Sequence, residues 1–271
     1  LGSLQKLSFQ LFAIGIVLYL NPFLIIENLH GFLGIIEMPL PIAFFFTTFI
    51  GIVMINSFNL IDGIDGNAAI SALFCFIIFG IAFWGIDNKA FFGLCILFSG
   101  TLLGYLPINL SKNKKGFMGD TGAMFLGFMI YLMTLVLVNS DNVFLLNVIP
   151  SRSIIPLAPL SLFILPIVDT LSVYSYRISI GRSPFSPDNL HLHHMALRKF
   201  STNHLTSSLF LNVGALIFIC FMAILSFNVS PYISISVYFI CVFMFVLYAN
   251  RLRSKIRIQL KKRKGNVVII N

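Results

Sequence analysis

The sequence predicts an all-α fold, a polytopic helical bundle embedded in a membrane. Composition is the first observation: of 271 residues, 58% are hydrophobic and 10% are charged, whereas a soluble globular domain carries about 25% charged residues. The second is that the apolar residues fall in long runs, and a spanning helix needs about 20 mostly apolar residues. No stretch is polar enough for a soluble domain, so we predict one membrane-embedded domain over residues 1–271.

About eight transmembrane helices are expected, because eight segments are long and apolar enough or nearly so. Prolines fall inside some of these segments, and membrane helices tolerate them because neighbouring helices satisfy the freed backbone groups. With eight spans, the two chain ends lie on the same side of the membrane. The predicted spans are 8–26, 39–57, 67–84, 90–110, 120–138, 154–171, 207–227 and 232–250.

The distribution of lysine and arginine predicts the orientation. Nearly all of these residues fall on the side of the chain ends, and only Lys89 and Arg152 fall on the other. Since lysine and arginine accumulate on the cytoplasmic side, we expect both ends in the cytoplasm and a basic tail over residues 251–271. Topology and attraction to anionic membrane lipids explain the net charge of +9, so no nucleic-acid partner is expected.

The first polar motif, Asn56–Asn67, ends the second predicted span. Residues three or four apart share a helix face, so Asn56 can point with Asn59, and Asn59 with Asp62 and Asp65. A calcium loop requires ligands at alternating positions, and aspartates three apart do not fit it. Capping of two helix ends would explain one asparagine and one aspartate, but not the whole set.

The second motif, Gly116–Gly122, places Asp120 near the start of the fifth predicted span. Asp120 is then either a helix N-cap or a hard oxygen ligand suited to Mg²⁺, which binds few side chains together with substrate phosphates. The lysines within residues 112–115 either attract an anionic substrate or are topological charges.

The third motif, Ser183–His194, ends in His191, His193 and His194. Zinc is one interpretation, but no cysteine lies nearby and zinc sites usually add more distant ligands. The histidines are otherwise donors to a phosphate, or incidental residues of a loop. Asp169, at the end of the sixth predicted span, is either an internal partner of Arg177 or part of the site.

In this order, the three motifs resemble those of the polyprenyl-phosphate N-acetylhexosamine-1-phosphate transferases of glycosyltransferase family 4. The resemblance covers essentially the whole chain. It implies that an oxygen of undecaprenyl phosphate attacks the β-phosphate of a UDP-N-acetylamino sugar such as UDP-GlcNAc. UMP then leaves, and a lipid-linked sugar remains in the bacterial inner membrane to start a cell-envelope polysaccharide. The implied cofactor is Mg²⁺, with Mn²⁺ as an alternative.

The resemblance also implies a role for each candidate residue. Asn59 and Asp120 match the metal ligands, and Asp65 matches the uridine contact. Asp62 and Asn56 shape the same pocket. The substrate phosphates are held by the three histidines of the third motif, His191, His193 and His194. The candidate catalytic residues are thus Asp62, Asp65, Asp120, His191, His193 and His194.

One feature of the family is missing from this sequence. The family carries an aspartate pair on a cytoplasmic loop just before the helix that corresponds to residues 8–26, and further spans upstream of it. Leu1 lies about where that pair ends. We therefore expect the sequence to be the C-terminal portion of such an enzyme, and to be inactive if nothing precedes Leu1 in the cell.

Other functions fit the residues less well. Transfer from another UDP-2-acetamido sugar is the main alternative. A transporter would carry acidic residues near mid-span, whereas these lie at predicted cytoplasmic ends. An intramembrane metalloprotease needs a His-Glu-x-x-His motif, which the sequence lacks. We leave a homodimer open as an expectation.

Overall fold

The computed structural model describes residues 2–111, 113–140, 151–183, 191–199 and 203–267. Side chains are described within these ranges except for Ser3, His193, His194 and residues 198–199 and 256–267. The helices are α1 (Ser3–Leu20), α2 (Leu40–Ile61), α3 (Asn67–Gly85), α4 (Lys89–Asn109), α5 (Gly119–Val138), α6 (Leu157–Leu162), α7 (Ile164–Ser179), α8 (Leu192–Lys199), α9 (His204–Asn228) and α10 (Pro231–Val267). Two short 3₁₀ turns (Pro22–Leu24 and Arg152–Ile154) and an antiparallel hairpin of β1 (Asn28–Phe32) and β2 (Ile35–Glu37) complete these ranges.

The polytopic helical bundle is confirmed. In the described part of the chain, six helices are long and apolar enough to cross a membrane, namely α2, α3, α4, α5, α9 and α10 through Lys255. A bent pair formed by α6 and α7 makes a seventh, and α1 is a shorter apolar helix. Large apolar side chains such as Phe45, Trp84 and Phe243 are exposed on the outside of the bundle. An outer surface of this kind fits contact with lipid.

Two predicted spans differ from the helices that form. The segment 8–26 ends as a helix at Leu20, because Pro22 disfavours helical backbone in the residue before it. The segment 154–171 is broken: α6 and α7 meet at Phe163 with a bend of 69°. Pro166 has no N–H to donate to the carbonyl of Leu162, so the helical ladder cannot run through this point.

Close packing of α2 on α5 determines where the polar motifs meet. A Cβ on Gly127 of α5 would lie 3.0 Å from both the Cα of Ile55 and the Cβ of Phe58 on α2. Only glycine allows the two helices to approach this closely. The approach sets the end of α2, with the first motif, beside the start of α5, with the second.

Candidate active site

The first two motifs meet at the end of the bundle where α2 stops and α5 begins. Asn59, in the last turn of α2, lies beside the carboxylate of Asp120 in the first turn of α5, so the two side chains meet at this end of the bundle. Asp62 ends α2 and lies within electrostatic range of both Asp65 and Asp120. We call Asn59, Asp62, Asp65 and Asp120 the open cluster. The predicted convergence of these four residues is therefore observed.

The turn between α2 and α3 is held in place from α4. Gly66 adopts a left-handed conformation (φ +79°), which glycine accepts at no steric cost. Its N–H donates to Oδ1 of the buried Asn109 at 2.6 Å, and Nδ2 of Asn109 donates to the carbonyl of Gly116 at 2.8 Å. Asn109 thus fixes the first motif relative to the second.

A second set of hydrogen bonds fixes the same turn from α9. Asn67 donates to the carbonyl of Ile61 at 2.8 Å and accepts from Nδ2 of Asn212 at 3.0 Å. Ser208 donates to the carbonyl of Asp65 at 2.9 Å. Because these groups are largely buried, each unmade bond would carry a desolvation cost. The turn is therefore held firmly while its two aspartate side chains remain partly exposed.

Asp65 lies between two cationic or protonatable side chains. Its Oδ2 is 2.6 Å from Nζ of Lys115 and 2.7 Å from Nδ1 of His204. The ammonium group of Lys115 also lies 4.8 Å from the centre of the Phe117 ring, in a cation–π contact. Both contacts of the carboxylate go to one oxygen, Oδ2.

Asp120 is the most exposed carboxylate of the open cluster. Its side chain is 58% exposed and forms an ion pair with Lys6, which reaches it from α1. Helix α5 begins at Gly119, and its N-cap position is occupied by Met118. The N-cap interpretation of Asp120 is therefore wrong, since its carboxylate sits one position inside the helix and projects towards the cluster.

Asp62 carries the negative charge that the cluster compensates least. Burial raises the pKa of Asp62, and the charges of Asp65 and Asp120 raise it further, to about 7. A carboxyl group next to two carboxylates ionises only at a cost. An added cation at this end of the bundle would relieve that cost.

Asn56 lies one turn deeper in α2 and pairs with α1. Its Nδ2 donates to Oε1 of Gln10 at 2.8 Å, and Nε2 of Gln10 donates back to Oδ1 at 3.3 Å. Asn56 also donates to the carbonyl of Ile52 at 2.8 Å. These bonds make Asn56 a helix-to-helix contact here, and its contact with substrate remains a prediction.

Of the three histidines in the third motif, the structure describes the side chain of His191, which belongs to a different set of contacts. His191 is buried and lies against Asp169 of α7, which in turn lies near Arg253 of α10. We call Asp169, His191 and Arg253 the closed cluster. The side chains of His193 and His194 lie outside the described residues, as does the stretch 184–190. Their predicted roles stay predictions.

The donor set of the open cluster fits a hard divalent cation. Asn59 and Asp120 supply an amide oxygen and a carboxylate, which suit Mg²⁺. Among the described residues, no group of three or more His, Cys, Asp or Glu side chains is arranged to hold a metal. Two protein oxygens match a cation that takes its remaining ligands from water and substrate phosphates.

Sequence reasoning missed several residues that build this site. Lys6 was counted only as a topological charge, and Lys115 either as such a charge or as an attractor of an anionic substrate, yet both pair with site carboxylates. Gln10 and Asn109 lie inside apolar helices, and such side chains commonly hydrogen-bond between membrane helices. That property was the available signal for both. His204 lies outside the three motifs, and its place beside a predicted cytoplasmic connection was the available signal for it.

Comparison with known proteins supports the resemblance. Residues 1–138 match the model of glycosyl transferase family 4. An undecaprenyl-phosphate alpha-N-acetylglucosaminyl 1-phosphate transferase of Escherichia coli K12 is 29% identical over 215 residues, which cover 75% of this chain and 56% of that protein. A protein of the same name from Yersinia pestis is 28% identical over 200 residues, covering 72% and 52%. A decaprenyl-phosphate N-acetylglucosaminephosphotransferase of Mycolicibacterium smegmatis is 30% identical over 181 residues, covering 62% and 44%. The chain spans about half the length of the curated relatives it matches.

Proposed function

This chain belongs to glycosyl transferase family 4, and we propose that it transfers N-acetylhexosamine-1-phosphate from a UDP-sugar to undecaprenyl phosphate. GlcNAc-1-phosphate is the favoured group, because the relatives are named for N-acetylglucosamine. In the proposed reaction an oxygen of the lipid phosphate bonds to the β-phosphorus of the UDP-sugar. The bond from that phosphorus to the bridging oxygen breaks, and UMP leaves with the electron pair.

The observation that carries the proposal is the meeting of Asn59 and Asp120 beside Asp62, whose pKa is raised to about 7. A pyrophosphate cannot enter a cluster of carboxylates without positive charge to separate the two. When bound, Mg²⁺ would supply positive charge that neutralises the negative charge developing during phosphoryl transfer. Asn59 and Asp120 would hold this ion through their oxygens.

Two lysines of the site supply further positive charge. Lys6 pairs with Asp120 and Lys115 pairs with Asp65, so each ammonium lies beside a carboxylate of the proposed substrate site. We propose that Lys6 passes from Asp120 to a phosphate oxygen when the site fills. Lysine suits this exchange because it is a compact point charge on a flexible stem.

Asp65 is proposed to bind the uracil ring. Lys115 and His204 both contact Oδ2, which makes Oδ1 the oxygen proposed to accept the uracil N–H. The two partners hold the carboxylate in one orientation, and a fixed acceptor discriminates among bases better than a mobile one.

We place the protein in the bacterial inner membrane, with the open cluster and both chain ends on the cytoplasmic side. The placement rests on the distribution of lysine and arginine along the sequence. A cytoplasmic site also suits a nucleotide-sugar donor. A homodimer remains a prediction.

The proposal is tested with membranes containing the full-length natural protein, supplied with undecaprenyl phosphate, Mg²⁺ and radiolabelled UDP-GlcNAc. We expect a lipid-diphospho-GlcNAc product and stoichiometric UMP, both lost on addition of EDTA and restored by Mg²⁺. Parallel assays use other UDP-2-acetamido sugars. Absence of lipid product with every UDP-sugar would reject the transferase, and uptake of intact UDP-sugar without UMP release would favour a transporter.

A further inference from the structure

We propose that Asp169 and Arg253 are positioning residues that fix the imidazole of His191 and the start of α8. This inference rests on the proposed function and on the role that the family resemblance implies for His191, which is to hold the substrate phosphates. All three residues lie beyond residue 138, the end of the family match. They belong to three segments that are far apart in sequence and are brought together by α7 and α10.

Asp169 engages two consecutive residues of the third motif. Its side chain is 1% exposed. Oδ1 accepts a hydrogen bond from the backbone N–H of Leu192 at 2.7 Å, and Oδ2 lies 3.2 Å from Nδ1 of His191. One carboxylate therefore fixes both the backbone where α8 begins and the ring that precedes it.

The contact with Asp169 also selects the tautomer of His191. An ionised carboxylate only accepts hydrogen bonds, so with Asp169 ionised the hydrogen is on Nδ1 of His191. Nε2 is then the ring atom that acts on a ligand. A carboxylate behind a histidine performs this orienting role in many metal and catalytic sites.

Arg253 completes the cluster from α10. Its side chain is 0% exposed, and Nη2 lies 3.6 Å from Oδ1 of Asp169. Nη1 donates to Oδ1 of Asn250 at 3.2 Å, and Asn250 donates to Ser175 of α7 at 2.9 Å. A buried carboxylate needs a compensating charge, and removing one partner of such a pair is strongly destabilising. Arg253 therefore places a positive charge beside the buried carboxylate, holds Asp169 in place, and acts on His191 through it.

The positioning role is tested by a double-mutant cycle in the full-length protein. We expect Asp169→Asn and His191→Asn each to lower kcat by about 10- to 100-fold, with a smaller effect on KM for the UDP-sugar. If Asp169 acts through His191, Asp169→Asn costs almost nothing further in the His191→Asn background. Effects that multiply would overturn the proposal and leave Asp169 a purely structural residue.

Arg253 offers a matched comparison within one helix. Arg253→Met should lower kcat about as much as Asp169→Asn, whereas Arg253→Lys, which keeps the charge, should retain more activity. Arg251→Met is the control, because Arg251 lies two residues away on α10 and is exposed. Equal activity of Arg253→Met and Arg251→Met would contradict the role of Arg253.

Hydrogen exchange separates this proposal from the proposed function. We expect amides of the segment 191–199 to exchange faster in Arg253→Met than in Arg251→Met, because Leu192 loses a firmly held acceptor. This measurement needs no catalysis, so a wild-type protein without transferase activity would reject the function and still test the positioning. Unchanged exchange in 191–199 would overturn the positioning, whatever the activity. Arg253→Lys serves if Arg253→Met does not fold.

Discussion

The open and closed clusters are both built around aspartate, and they differ in how the charge of that aspartate is balanced. In the closed cluster, Asp169 is fully buried and lies against both His191 and Arg253. In the open cluster, Asp120 is 58% exposed and Asp62 ionises only near pH 7 under the influence of two other carboxylates. A carboxylate whose partners are buried residues of the fold has a structural role. A carboxylate whose charge is left uncompensated is suited to bind a cationic ligand.

Removing the most exposed carboxylate of the open cluster should have the largest effect. Asp120→Asn should lower kcat by at least about 100-fold, because under the proposed function a ligand of the ion that stabilises transition-state charge is lost. The melting temperature should change little, since an acidic residue in the first turn of an exposed helix contributes only about 0.3–1 kcal/mol. Transferase assays and thermal unfolding in detergent check the two halves of this prediction.

Asp87→Asn is the matched control for Asp120→Asn. Asp87 is an exposed carboxylate that also pairs with a lysine, Lys89, but it lies between α3 and α4, away from the open cluster. Its replacement should leave kcat unchanged. If Asp120→Asn lost stability and kept its activity, Asp120 would have a structural role. The open cluster would then not differ in function from the closed cluster.

Asn109→Ala should have an intermediate effect, on stability more than on chemistry. It removes the acceptor of the Gly66 N–H and the donor to Gly116, and leaving such buried groups unpaired costs about 1–3 kcal/mol. The melting temperature should fall, and KM for the UDP-sugar should rise as the turn bearing Asp62 and Asp65 loosens. The exposed Asn113 provides a control, since Asn113→Ala should change neither quantity. A normal KM in Asn109→Ala would show that the turn does not depend on this bond.

The smallest expected effect is a pH-dependent gain in stability from Asp62→Asn. The pKa of Asp62 is raised by burial and by Asp65 and Asp120 to about 7, so the folded state holds its proton more tightly than the unfolded chain does. Wild-type stability therefore falls as the pH rises from about 4 to about 7. The neutral asparagine avoids this loss.

Melting curves of Asp62→Asn and wild type between pH 4 and pH 8 measure this difference. The advantage of the variant should be absent at the acidic end, grow through the interval and level off above pH 7. Millimolar Mg²⁺ should reduce it by stabilising the ionised wild-type carboxylate. A difference in melting temperature that does not vary with pH would show that the pKa of Asp62 is not raised in the folded state.

The open cluster was predictable from sequence because its residues form short motifs with a helical spacing. Asn59, Asp62 and Asp65 lie three residues apart, and the second motif places Asp120 near the start of the fifth predicted span. Their convergence depends on Gly127, which lets α5 approach α2. The close approach of α5 to α2 depends on how two helices pack, and the spacing of residues within one motif does not reveal it.

The closed cluster was not predictable, because charge alone does not determine burial. Arg253 lies in a run of basic residues interpreted as a tail attracted to lipid, yet it is 0% exposed, while Arg251 two positions earlier is exposed. Only the docking of α10 on α7 separates the two. The prediction of one span over 154–171 missed the break at Phe163 for a related reason. Membrane helices often accommodate proline, and the sequence does not show which proline-containing helix bends.

The length of α10 has a consequence for where the reaction takes place. Its 37 residues span about 55 Å, well beyond the hydrocarbon thickness of about 30 Å. Arg253 lies about 33 Å along the axis from Pro231, close to one hydrocarbon thickness from the start of the helix. Under the proposed function, α10 thus sets the depth of His191 in the membrane, at the layer where the lipid phosphates reside. We expect bilayer thickness itself to tune turnover, through hydrophobic mismatch along this one helix.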